Sequence, residues 1–196
     1  DVYKRQLSPN LKTWTINNVQ RYANFGDVKD DDGYYGELKV AENGYPYVNY
    51  YASRKLRDHL EDDGTSHSPI LGWAYDGHPI YGPYATANPD GSGPLKYLQS
   101  SYAKISGLSR TNGPALTDYA AGFFIEDYEF QEGFGDLDEH NGRFAVTPEY
   151  PFGVYAYYIT VSPNPVTNPL SPFNNRREPI FPYIVGDSYN STLLQL

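Results

Sequence analysis

The chain is 196 residues long, with a formal net charge of −9 and no cysteine. Disulfides and thiolate metal sites are therefore excluded, and a nucleic-acid binder, which needs a basic face, is set aside. No apolar run of about 18 residues occurs, so no membrane-spanning helix is expected.

Apolar residues make up 39% of the chain, and 21 tyrosines and 9 phenylalanines add buried area beyond that share. With 18 glycines and 16 prolines, turns are frequent and long helices are not expected. The composition points to a mainly β chain with little helix: a compact antiparallel sheet or sandwich built on hairpins, with long Pro/Gly-rich loops. The length fits one domain with a real core. Methionine is absent even at position 1 and no secretory leader is read, so a fragment, a processed form or a segment of a longer chain is expected. Residues 1–6 show no periodicity and read as a linker-like, non-native segment. Residues 7–65 are expected to supply N-terminal strands and a short helix of the same domain, 66–186 its core, and 187–196 a tail.

In chain order, residues 11–19 alternate around Trp14 and Ile16 as a strand would. Residues 27–33 form an acidic loop that fails as a calcium loop, because its spacing would put Val28 and Lys39 at ligand positions. A strand over 37–40 leads to an Asn43-Gly44 turn and an aromatic run over 45–51. Residues 52–60 are the helix candidate, with Leu56 and Leu60 four apart on one face. A polar loop then leads to residues 69–84, which read as a hairpin. Residues 70–75 are nearly all apolar, a strand buried on both faces, and Asp76-Gly77 suits a two-residue type I′ turn. Gly82-Pro83 stops the second strand. Residues 85–94 and 106–114 are loops, and 95–102 is either a strand or a helical turn. Strands are expected over 122–130, 143–147, 153–161 and 180–185, with an Asn141-Gly142 turn and a long Pro/Asn-rich loop over 162–179.

Two short units carry the candidate chemistry. Asp76-Gly77-His78 and Asp138-Glu139-His140 each place a carboxylate two residues before an imidazole. On a strand such positions share a face, so Asp76, His78, Asp138 and His140 together would suit a divalent metal ion. The competing reading makes Asp76 and Asp138 turn residues that bond backbone N–H groups, with structural histidines. Glu126, Asp127, Glu129, Asp138, Glu139 and Glu149 include enough acids for a glycosidase pair, but acids are common in so acidic a chain and a solvated face is the better reading. No nucleophile elbow or phosphate loop is present, and Ser66-His67-Ser68 lacks an evident orienting partner. Trp73, Tyr75, Tyr81, Tyr84, Tyr155, Tyr157 and Tyr158 lie on or beside the two motif regions. Displayed outward they would form a platform for a glycan or protein, although alternation puts about half of them in the core. Asn190-Ser191-Thr192 is a glycosylation acceptor pattern, meaningful only for a protein secreted from a eukaryote.

Residues 72–83 (Gly-Trp-Ala-Tyr-Asp-Gly-His-Pro-Ile-Tyr-Gly-Pro) resemble the signature hairpin of YHYH-domain proteins. Residues 136–144, continuing through 146–151 and 153–158, resemble that family's downstream motif, and Phe181-Pro182-Tyr183 its closing segment. The resemblance covers roughly 66–186. The family's Tyr-His-Tyr-His run corresponds to Tyr155-Ala156-Tyr157-Tyr158, so both histidines are replaced. This variant also resembles virion structural proteins of tailed phages, often tail- or fibre-associated, whereas other members resemble secreted or surface bacterial proteins. The resemblance implies a non-catalytic virion structural or receptor-binding module in a virion or extracellular setting. Its partners would be other virion proteins, a host-surface glycan or protein, or further copies of itself. The alternatives are a secreted metal-binding or hydrolytic domain using the Asp/His set, with a divalent ion as cofactor, and a carbohydrate-binding module.

Overall fold

The computed structural model describes residues 14–17, 36–37, 48–49, 54–165 and 177–194. The opening segment 1–6, the acidic loop 27–33, the Asn43-Gly44 turn and the middle of the 162–179 loop lie outside the described residues. In chain order the strands are β1 (Gly36–Glu37), β2 (Val48–Asn49), β3 (Ile70–Trp73), β4 (Pro79–Tyr81), β5 (Tyr84–Thr86), β6 (Leu95–Tyr97), β7 (Tyr102–Lys104), β8 (Tyr128–Phe130), β9 (Gly142–Ala145), β10 (Val154–Tyr158), β11 (Val161–Pro165) and β12 (Arg177–Pro179). Among the described residues, helix is confined to α1 (Arg54–His59) and a 3₁₀ turn over Ile125–Asp127. The chain is mainly β, as its composition dictates, and its strands are short because Gly and Pro interrupt them.

The chain divides into two compact units, Asp1–Tyr51 with Tyr102–Phe130, and Ala52–Ser101 with Gln131–Leu196. Residues 7–65, read from sequence as part of one domain with 66–186, are thus shared between the two units.

In the first unit β1 pairs with β2 and β7 with β8, both antiparallel. Ile16 forms a bridge with Phe124 and packs with Phe123, Trp14 and Tyr119. The organising contact is polar. Arg110 donates from Nε and Nη2 to the two carboxylate oxygens of Asp127 at 2.8 and 2.7 Å. Its remaining N–H groups reach the carbonyls of Pro114, Tyr119 and Ala120. Asp127 Oδ2 also accepts the N–H groups of Gly122 and Phe124. Residues 122–130, expected as one strand, are broken by the 3₁₀ turn, which carries the Asp127 carboxylate inward before β8 begins.

The second unit holds a four-stranded sheet in the order β3-β4-β10-β9. β3 with β4 and β10 with β9 are antiparallel, while β10 and β4 run parallel, pairing Tyr157 with Ile80 and Tyr158 with Tyr81. Two-stranded antiparallel pairs β5–β6 and β11–β12 accompany it. Its core is Tyr81, Ala85, Leu98, Leu137, Ala156 and Tyr158, with Ile70 and Val154 packed against it. Each large side chain closed off there contributes about 1.5–3 kcal/mol.

Four local expectations are corrected. The β3–β4 connection is not a two-residue type I′ turn: Ala74 N–H donates to the His78 carbonyl and Gly77 N–H to that of Ala74. Within that turn only Gly77 has a positive φ, at 85°. The strand over 70–75 is not buried on both faces. β3 is a sheet edge, and Trp73 and Tyr75 are 57% and 62% exposed. On α1 the Leu56/Leu60 side faces outward and Arg57 is buried instead, held by Asp62 at 2.6 Å, with Ser68 on the other carboxylate oxygen. Residues 180–185 form a turn, not a strand, with Tyr183 N–H donating to the Ile180 carbonyl.

Burial alone would raise the Asp127 carboxyl, but the Arg110 guanidinium and the Phe124 and Gly122 amides outweigh it and hold the group below the usual carboxylate value. A carboxyl held low adds stability above the unfolded pKa of about 4 and loses it as pH falls through the lower folded value. Asp127→Asn leaves the buried guanidinium without its counter-charge, and urea unfolding at pH 7 should show a loss of about 3–5 kcal/mol.

Candidate functional site

β10 sets the site because strand side chains alternate between faces. Ala156 and Tyr158 enter the core, which turns Tyr155 and Tyr157 to the opposite face. There each phenol meets one motif carboxylate. Tyr157 Oη donates to Asp76 Oδ2 at 2.6 Å, and Tyr155 Oη lies 3.0 and 2.9 Å from the two oxygens of Asp138. The two tyrosine rings meet edge to face at 5.4 Å, and the His78 ring stands 5.1 Å from Tyr155 and 6.3 Å from Tyr157. Burial pushes both phenols up, and the carboxylate beside each pushes further, so both stay protonated donors at neutral pH.

The two Asp-x-His units are built alike. Asp76 Oδ1 faces the His78 N–H at 3.4 Å, and Asp138 Oδ1 accepts the His140 N–H at 3.0 Å. Asp138 Oδ1 also accepts the Gly142 N–H at 3.0 Å. These side chain to backbone bonds two residues onward are what a short carboxylate does in a turn. Asn141, at φ 63°, turns the chain, and its buried side chain donates to the carbonyls of Tyr158 and Ile184. Gly142 is required here, because a Cβ would strike the Tyr155 phenol.

The structure brings Asp76 to Tyr157 and Asp138 to Tyr155 and does not gather the four expected ligands. Among the described residues no group of three or more His, Cys, Asp or Glu side chains is placed to hold a metal ion. The imidazoles turn instead to the segment after residue 186. His78 Nε2 lies 2.9 Å from Ser191 Oγ, and His140 Nδ1 lies 3.1 Å from the Ser188 carbonyl and 3.0 Å from its hydroxyl. Among the aromatic candidates, Trp73 and Tyr75 project outward on either side of buried Ala74. Tyr81 is not a surface residue: it is fully buried and stacked on Tyr158 at 5.7 Å. Tyr84 is half-buried, with the Arg57 guanidinium 5.9 Å from its ring.

A second polar cluster lies on the core side of the sheet. His67 packs edge to face on Tyr81 at 5.0 Å and on Tyr158 at 6.3 Å. Its Nδ1 lies 2.8 Å from the Ser68 carbonyl, which can only accept, so Nδ1 carries the proton and Nε2 keeps a lone pair. His67 Nε2, Tyr158 Oη and Arg143 Nε are buried without a hydrogen-bond partner of good geometry. Tyr81 Oη donates to Glu149 Oε2 at 2.8 Å and lies 2.9 Å from Thr147 Oγ1. Sequence reading found no orienting partner for Ser66-His67-Ser68, because the rings that His67 meets come from residues distant in the chain. The signal it left was an imidazole just ahead of an apolar strand.

The family model described as YHYH protein matches residues 6–171. The chain belongs to the YHYH family. No curated protein and no solved structure matches it. In this YHYH chain the run Tyr155-Ala156-Tyr157-Tyr158 divides by face. Tyr155 and Tyr157 hold the motif carboxylates, while Ala156 and Tyr158 point into the core. The match stops short of residues 188–194, which lie against the motif face.

Tyr157→Phe removes a donor from a carboxylate and should cost about 1.5–3 kcal/mol in urea unfolding. Burial holds the His67 imidazole below its ordinary value; Glu149 and Asp62 pull it up, and Arg143 pushes it down. The unfolded chain therefore takes up that proton first, and stability falls as pH drops through about 6.5. His67→Asn should reduce the difference in Tm between pH 7.5 and pH 5, read by thermal melts at both values.

Proposed function

We propose that this YHYH chain is a non-catalytic structural or receptor-binding module, and that it works in a virion tail or fibre. The observation that supports this most is that both motif carboxylates are engaged in holding the fold. Asp76 serves Tyr157, the His78 amide and the Ser191 amide, and Asp138 serves Tyr155 and the amides of His140 and Gly142. A general acid or base needs a carboxyl that faces the reacting group, and a ligand set needs convergent lone pairs. The hydrolytic and metal-binding alternatives draw no support from this arrangement. The virion setting rests on the likeness of the two sequence blocks to tailed-phage structural proteins, with other virion proteins or the host surface as partners.

A carbohydrate-binding reading is favoured by one feature, the outward pair Trp73 and Tyr75. Their rings carry polar tips suited to the faces and hydroxyls of sugars. Two measurements separate these readings. A panel of ester, phosphoester and glycoside substrates should show no turnover above that of an Asp76→Asn/Asp138→Asn double variant; turnover that vanishes in that variant would overturn the non-catalytic reading. Antibodies to the chain should decorate tails or fibres in electron micrographs of phage particles. A glycan-array signal abolished by Trp73→Ala would favour the carbohydrate-binding reading.

A further inference from the structure

We propose that the face formed by Tyr157, Asp76, His78, His140 and the Tyr75 carbonyl is a docking site for a short, bent peptide segment, and that its resident occupant is the chain's own segment 188–194. The contacts are those of peptide recognition. The Asn190 N–H donates to Tyr157 Oη at 2.8 Å, and the next residue's N–H, from Ser191, donates to Asp76 Oδ2 at 3.2 Å. Three residues further on, the Leu194 N–H donates to the Tyr75 carbonyl at 2.8 Å. Fixed acceptors on the face thus take three backbone donors of the segment, and donation by the successive residues Asn190 and Ser191 requires the bend that the backbone makes there. Side-chain selection is added by the histidines, His140 at Ser188 and His78 at the Ser191 hydroxyl. The Tyr189 ring sits between Tyr75 and Tyr157, edge to face at 6.4 and 6.3 Å. Leu194 lies over Gly77, with its Cδ1 3.2 Å from where a Cβ would stand.

Two observations make the occupant separable from the site. Ser188 and residues 190–194 are exposed, and none of the segment belongs to a strand, so few buried contacts hold it and local opening is cheap relative to unfolding. The face, by contrast, is built on β10 and on the turn of the motif hairpin, and its Tyr157 and Asp76 are buried. The site is independent of the virion setting: it assigns the motif face a partner class, a bent segment with serine hydroxyls three residues apart and an aromatic ring beside the first.

The test uses the full chain and a synthetic peptide of residues 187–194. Hydrogen exchange of the intact protein is followed with and without millimolar peptide. The Asn190, Ser191 and Leu194 amides should exchange several-fold faster when peptide is present, those of β10 should not change, and a scrambled peptide should have no effect. A second measurement weakens the resident. Ser191→Pro deletes the N–H that reaches Asp76, and a tethered occupant competes at an effective concentration in the millimolar range. Fluorescence anisotropy should therefore show labelled peptide binding Ser191→Pro at least ten-fold more tightly than the unmodified chain, and Asp76→Asn added to that variant should abolish the gain. Unchanged exchange under peptide, or peptide binding that is the same with and without Asp76→Asn, would overturn the proposal.

Discussion

The hydrogen bonds from Tyr155 and Tyr157 to Asp138 and Asp76 are the constraint on which the motif region depends. A phenol and a carboxylate at 2.6 Å form a strong, charge-assisted contact. Here two such contacts leave one short strand and reach two turns, one 81 and the other 17 residues away in the chain. β10 fixes the phenols, the phenols fix the carboxylates, and each carboxylate then shapes its own turn by accepting the histidine amide two residues on. The repeated Asp-x-His unit is a device for rigid turns before it is anything else.

The other side of β10 shows a different economy of polar groups. Tyr158 and Tyr81 stack, His67 stands on both rings, and Arg143 approaches the Tyr158 ring at 5.6 Å while its Nη2 donates to the Thr86 carbonyl at 2.7 Å. Three polar atoms there lack good partners, an arrangement that carries a cost in desolvation.

Much of the motif region was legible in the sequence, and the limits were physical. The β character followed from the density of Gly, Pro and Tyr, and β10 from its aromatic run, although the strand expected over 153–161 ends at Tyr158 and Val161 already opens β11 in another sheet. Asp76 and Asp138 were legible as turn residues, but their phenol partners were not, because a contact between residues 76 and 157 leaves no local trace. Leu56 and Leu60 misled because helical spacing says which residues share a face and not whether that face is covered. Arg57 took the buried side through its bond to Asp62. Trp73 and Tyr75 misled in the same way: an apolar run fits a central strand, but sheet order made it an edge. The role of Ser188 and Ser191 was hidden because a polar, exposed segment reads as a tail whether or not its amides are taken.

The parallel pairing of β4 with β10 has a kinetic side. Ile80 meets Tyr157, so the centre of the sheet closes only after the chain between them, including Tyr102–Phe130 of the other unit, has been made and brought back. Loop-closure entropy rises slowly with length, yet it must be met before a pairing so distant returns any stability. During synthesis the β3–β4 hairpin therefore emerges with one side unpaired and with Trp73 and Tyr75 already displayed. That interval, more than the finished fold, is when this tyrosine-rich chain presents open strand edges to its neighbours.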